Sequence, residues 1–373
     1  MFSFKNWIKF LIEPLFSLNG CGGSDSATET EIVEEPEATD GIPLSGGETE
    51  GDITINDNHY LPAGENLIIS EGHTLTINSG KVLRIFGTIE NKSTINNNGV
   101  LINNIGSTLN NYGTITNNES IVIYGTLTNK TDSTLNNKKN GEVCYSGTIE
   151  NFGTMNNYED GKFFQSMSGG TLKNYTNAKK IIPEDKITKN CLFGTITKRT
   201  GIERSFTIPK NTELIIEKDI TLRIEGYLKN TEGYVLQILS YGTIINNGII
   251  ECENEEIYGH LKFNNSGTII NNSNFEYTLH DFFNNGTIEN NGEFSFGSTT
   301  VDRYKLYNAA NCIITNNKGA TITIIKNNNE KNFILNKGII NNLGNIANYG
   351  KIFTTYGELK GEGTIDPKGE VIN

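Results

Sequence analysis

The chain has 373 residues, 35% of them hydrophobic, a formal net charge of −12, 40 Gly, 7 Pro, 3 Met and 1 Trp, and roughly one residue in seven is Asn, far above ordinary usage. Ten acids and no base lie between residues 24 and 52, so the rest of the chain is close to neutral and offers no basic stripe for nucleic acid. Abundant Ile, Thr, Tyr and Phe between Asn and Gly turns argue against a helical protein and for an all-β one.

The chain opens with MFSFKNWIKFLIEPLFSLNGCGG. Residues 1–23 read in two ways. Phe4, Trp7, Ile8, Leu11 and Leu15 fall on one face of an amphipathic interfacial helix. Leu18, Asn19, Gly20 and Cys21 resemble the lipobox of bacterial lipoproteins, although Glu13 and Pro14 interrupt the apolar run and Asn19 departs from the pattern. That resemblance implies acylation of Cys21 and an extracytoplasmic protein held to the membrane only by this anchor. The apolar run is far short of the ~20 residues of a membrane span.

Residues 24–52 are rich in Ser, Thr, Glu and Gly and lack aromatics. Such a stretch cannot bury enough apolar surface to offset its chain entropy, so a disordered acidic tether is expected.

A short unit then recurs, as in GTIEN at Gly87, STINN at Ser93, GTITNN at Gly113 and STLNN at Ser133. Ser93, Gly113, Ser133 and Gly153 are 20 apart, each followed by Thr: Thr94, Thr114, Thr134 and Thr154. A second column runs Gly87, Ser107, Gly125, Gly147, and a third Gly99, Glu119, Gly141, Gly161. Toward the carboxy terminus Gly319, Gly338 and Gly357 are 19 apart, as are Gly344 and Gly363, and Gly350 and Gly369. Three columns held at once predict a three-sided parallel β-helix of about 19–20 residues per coil. Within GTIxN the period-two rule turns Ile inward and Thr and x outward. It leaves Asn at the corner, where stacked amides form a ladder.

Leu61–Ile77 and Ile208–Ile224 both run from Pro through alternating apolar residues into the repeat, so the array reads as two solenoid blocks, 53–175 and 206–373. Residues 176–205 break the register and are expected as a junction or lateral loop. Stacked coaxially, the blocks would give about 16 coils and a rod of roughly 75 Å. These opening segments, with the NNGTI-type units after them, resemble the right-handed, pectin-lyase-like β-helix repeats of bacterial surface proteins and adhesins. Similar Asn-rich repeats occur in viral fibre proteins. The long repetitive face, the near-neutral body, the tether and the shortage of Asp point to a non-catalytic cell-surface rod for display or adhesion, with cell-surface glycans or proteins as partners and end-to-end or side-by-side self-association. A virion-surface fibre is the alternative location.

Polysaccharide-cleaving β-helices need clustered Asp with His, or Asp with Arg or Lys, on one face. The candidates are His260, Lys262, His280 and Asp281. Asp281 lies 19 residues after Lys262, which stacks the two in adjacent coils as a salt-bridge ladder or, as the alternative, an active group. His59, His73, His260 and His280 lack ligand spacing, no Cys pair fits a zinc motif, and the calcium nonapeptide is absent, so neither metal nor cofactor is expected. An ice-binding face would need aligned outward Thr pairs, but Thr114 and Thr116 fall in a different column from Thr126 and Thr128.

Overall fold

The computed structural model describes residues 41–158, 160–176, 178–230, 235–252, 260–278, 281–297, 305–325, 332–366 and 368–372. Cys21 and the amino-terminal segment lie outside them. The described chain is an all-β parallel solenoid without α-helix, and no helix in it is long and apolar enough to cross a membrane.

Strands of about four residues alternate with tight corners. Their usual burial pattern, half-buried then buried twice over, follows from the pleat: in Thr88–Asn91, Ile89 and Asn91 point inward while Thr88 and Glu90 point outward. Successive strands cycle through three sheets. Sheet I has 16 strands, from Ile42–Pro43 to Thr364–Ile365, and runs through both blocks. In the amino block it is joined by sheet II, 7 strands from Gly47–Glu48 to Thr171–Asn174, and sheet III, 6 strands from Ile53–Ile55 to Thr154–Asn157. In the carboxy block it is joined by sheet IV, 9 strands from Gly194–Ile196 to Glu370–Ile372, and sheet V, 8 strands from Thr200–Ile202 to Glu358–Lys360. Thr94, Thr114, Thr134 and Thr154 pair in register along sheet III.

The interior is filled by Ile, Leu and Phe, closed at the corners by amide ladders. Asn91, Asn111, Asn129 and Asn151 link at 2.7, 2.8 and 2.9 Å. Asn97, Asn117, Asn137 and Asn157 link at 2.7, 2.8 and 2.8 Å. The carboxy block repeats the device with Asn246, Asn271, Asn290, Asn316 and Asn342, each step 2.8 Å. Each Asn also donates to a backbone carbonyl beyond the corner, as Asn97 Nδ2 does to Ser120 O at 2.7 Å. A buried amide that satisfies both its neighbour and an orphan corner carbonyl accounts for the inward Asn of the repeat, and exposed Asn stack in further ladders, as Asn247, Asn272, Asn291 and Asn317 do.

The mean turn is about 22 residues, not 19–20, because some coils carry longer corners: Thr321 pairs with Asn345, 24 positions on. That coil also corrects one Gly column. Gly319 sits at the corner before the sheet I strand Thr321–Ile324, with Gly344, whereas Gly338 and Gly357 precede sheet V strands. The solenoid also starts earlier than expected. Ile42 and Pro43 pair with His59 and Tyr60, and Gly47 and Glu48 with Leu67 and Ile68, so the last part of the 24–52 segment is a first coil. Residues 176–205 span the junction where sheets II and III end and sheets IV and V begin, but they are not a loop throughout. They hold strands Ile187–Cys191, Gly194–Ile196 and Thr200–Ile202, one in each of the three sheets of the carboxy block. Leu61–Ile77 and Ile208–Ile224 therefore each lie in the second coil of a block.

The blocks do not form one straight rod. Arg84 Nη1 lies 2.8 Å from Glu213 Oε1, yet six strand steps of sheet I separate their coils, about 29 Å in a straight stack. The carboxy block therefore turns back against the outer face of sheet I. There Val100, Ile102, Val122, Cys144, Cys191 and Phe193 form a second apolar cluster outside the solenoid lumen. Strands Val100–Asn103, Ser120–Ile123 and Glu142–Tyr145 are buried on both faces as a result. Lys210 Nζ meets Glu119 Oε1 at 2.5 Å, and the Tyr124 hydroxyl accepts from the backbone N–H of Glu213.

Candidate functional site

The outer face of sheet IV differs from that of sheet II, and its rings set it apart from sheet V, whose outward apolar residues are Ile245, Ile270, Ile313 and Ile339. In sheet II the outward positions are polar: Thr88, Thr108, Thr126 and Thr148 in one column, and Glu90, Asn110, Thr128 and Glu150 in the other. In sheet IV the second column runs Ile215, Leu239, Asn264, Phe283, Tyr307, Leu335 and Phe353, one per coil. All are half-buried. Strands DFFN, KLYN, FILN and KIF carry apolar residues at two adjacent positions, so one ring or chain fills the lumen while the next stays on the surface.

The first column beside it is mostly polar and charged: Lys262, Asp281, Lys305, Phe333 and Lys351 follow in register. The Phe283 and Tyr307 centroids are 6.0 Å apart, and Phe333 and Phe353 meet edge to face at 5.6 Å. Lys305 Nζ sits 5.6 Å from the Phe283 centroid and 3.5 Å from Asp281 Oδ2. Lys337 Nζ lies 5.5 Å from the Tyr307 centroid. Lys351 pairs with Glu370 at 3.2 Å. Two of the three lysines of the first column thus have a carboxylate partner.

Of the sequence candidates, Lys262 and Asp281 are cross-strand neighbours on this face, but the ion pair of Asp281 runs onward to Lys305. His260 enters the strand His260–Asn265 opposite Val235; its side chain and all of His280 lie outside the described residues. Among the described residues no three His, Cys, Asp or Glu side chains come together as a metal site. Burial raises the thiol pKa of Cys144 well above its ordinary value and pushes that of Cys191 up to about 12, so neither is a ready nucleophile. Cys144, Cys191, Cys252 and Cys312 are all buried. The two TxT pairs lie in different sheets, Thr114 and Thr116 in III and Thr126 and Thr128 in II.

Reading only the inward Ile of each repeat misses the aromatic column. The signal is the third position of the unit, which is Glu90, Asn110, Thr128 and Glu150 in sheet II and becomes Phe, Tyr or Leu at Phe283, Tyr307, Leu335 and Phe353. No family model, no curated protein and no solved structure matches the chain.

Proposed function

We propose that this is a non-catalytic, extracytoplasmic display and adhesion solenoid that binds a surface partner through the outer face of sheet IV. The half-exposed column from Phe283 to Phe353 carries the reading. These rings pack on one another along the sheet but fill no part of the lumen, and a continuous half-exposed apolar strip on an outward face fits an interaction surface. The amide ladders support the same reading, because a backbone stabilised from within leaves the outward side chains free to serve recognition. We take the winding as right-handed and pectin-lyase-like, and Cys21 as an acylated membrane anchor with residues 24–40 as spacer.

Two experiments test this. The purified chain is passed over immobilised glycans and surface proteins, scored for retention and for product. Retention without turnover, unchanged in Asp281→Asn, is expected, while turnover that Asp281→Asn or His280→Ala removes would make the face an active site instead. Expressed in a bacterium with a lipoprotein pathway, the chain should take up labelled fatty acid and Cys21→Ser should not. An unmodified, uncleaved amino terminus by mass spectrometry would remove the anchor from the proposal.

A further inference from the structure

We infer that the sheet IV face is a track for one extended, neutral polysaccharide chain lying along the solenoid axis; this rests on the adhesion reading and names its ligand class. Three features of the face select that ligand.

The first is width. From Leu239, beyond the coil that Glu213 ties to the amino block, to Phe353 the column spans six coils in register, about 24 Å by the ~13 Å of a four-residue strand, or roughly 300 Å². A stable protein partner or second copy needs about 800 Å² on each side. The track is too narrow for that and wide enough for a single polymer.

The second is charge. Lys305 is paired with Asp281 at 3.5 Å and Lys351 with Glu370 at 3.2 Å. Among the described residues Lys262 and Lys337, without a carboxylate partner, lie three coils apart, so the face carries no run of uncompensated cations for a polyanion and favours an uncharged ligand.

The third is chemistry at a fixed repeat. The rings of Phe283, Tyr307 and Phe353 offer apolar surface to the C–H faces of sugar rings. The first-column side chains of Gln237, Lys262 and Asp281 bring donors and acceptors alongside for hydroxyls. One coil advances by ~4.8 Å, close to the length of one pyranose unit in an extended chain. Successive sugars would therefore meet equivalent positions on successive coils without bending the polymer, and the rigid ladder costs little further ordering on binding.

The test uses the full chain in native gels containing hydroxyethyl cellulose, laminarin or galactomannan, with polygalacturonate and heparin as polyanions. At least one neutral polymer should retard the protein, and the polyanions should not. Affinity for the matching oligosaccharides should rise with length to about six units and then level off. Tyr307→Ala and Phe353→Ala should each weaken binding roughly tenfold. Tyr307→Trp should preserve it, as should Phe152→Ala, which removes a ring stacked on Tyr175 in the amino block. Circular dichroism of each variant separates lost binding from lost fold. Retardation that survives both alanine variants overturns the track but leaves the adhesion reading. Absence of retardation by every neutral polymer, or stronger retardation by the polyanions, overturns the ligand class, and the adhesion reading then depends on the protein arm of the retention experiment.

Discussion

Arg84 and Glu213 form an ion pair at 2.8 Å across 129 residues of chain, joining the third coil of the amino block to the second coil of the carboxy block. Their side chains retain 17% and 12% of their exposure, so solvent screens the pair poorly. Removing one partner strands a desolvated charge against the apolar cluster beneath. Arg84→Met should cost about 1–3 kcal/mol, seen as a lower urea midpoint, and should lengthen the particle in small-angle scattering as the blocks part. An unchanged scattering profile in Arg84→Met and Glu213→Gln alike would show that the apolar cluster alone holds the fold-back.

A second charge at this contact gives stability a pH dependence. Burial raises the Glu142 carboxyl above its ordinary pKa, while Lys210 and Lys162 pull it down. One oxygen, Oε2, is buried without a hydrogen-bond partner. The folded chain therefore holds this proton more tightly than the unfolded chain does. The penalty is absent below the unfolded pKa, grows as pH rises through the window up to the folded pKa, and is complete above it. Urea midpoints should thus fall with rising pH across that window. Glu142→Gln should remove this part of the slope and be the more stable protein at neutral pH. Parallel profiles for both proteins would show that the carboxyl is not the source.

How much of this was legible in the sequence depends on which physical rule each feature obeys. The stacking of Thr94 on Thr114 and the inward Ile follow from a fixed period and a two-residue pleat, and both are local. The burial of Asn was half legible. Its position in the pleat points inward, but only the stacked coils show that each amide closes a carbonyl across the corner. Gly319 misled because constant spacing stands for register only while the corners keep their length, and the corner after Ile324 does not. The fold-back was not legible at all. It rests on Arg84, Glu119, Lys210 and Glu213, single side chains outside the repeat, whose meeting depends on a turn of the whole array.

The amide ladder should be far less tolerant than the outward columns. Asn117 accepts from Asn97 at 2.7 Å and donates to Asn137 at 2.8 Å and to the Glu142 carbonyl at 3.0 Å. Asn117→Ala leaves a cavity and unmet polar groups in two coils, about 2–4 kcal/mol. Its neighbour Thr116 faces outward, and Thr116→Ala should stay within about 0.5 kcal/mol. Equal costs at the two positions, measured by urea unfolding at constant slope, would mean the ladder adds nothing beyond side-chain volume.

Two glycines make opposite predictions from one substitution. A Cβ on Gly113 would lie 2.0 Å from the Ser93 carbonyl oxygen of the preceding coil. Backbone cannot yield there without opening the coil stack, so Gly113→Ala should cost about 3 kcal/mol, at the upper end of overpacking. Gly201, in the sheet V strand Thr200–Ile202, has nothing within 4 Å of such a Cβ and no left-handed φ. Alanine there restricts the unfolded chain and leaves the folded one unstrained, so Gly201→Ala should gain about 0.4–1 kcal/mol. The pair is compared by urea midpoints at equal slope. A Gly113→Ala protein as stable as the parent would mean that neighbouring coils can slide apart at the corner, and the tight stacking that holds the sheets in register would then not depend on the small residue there.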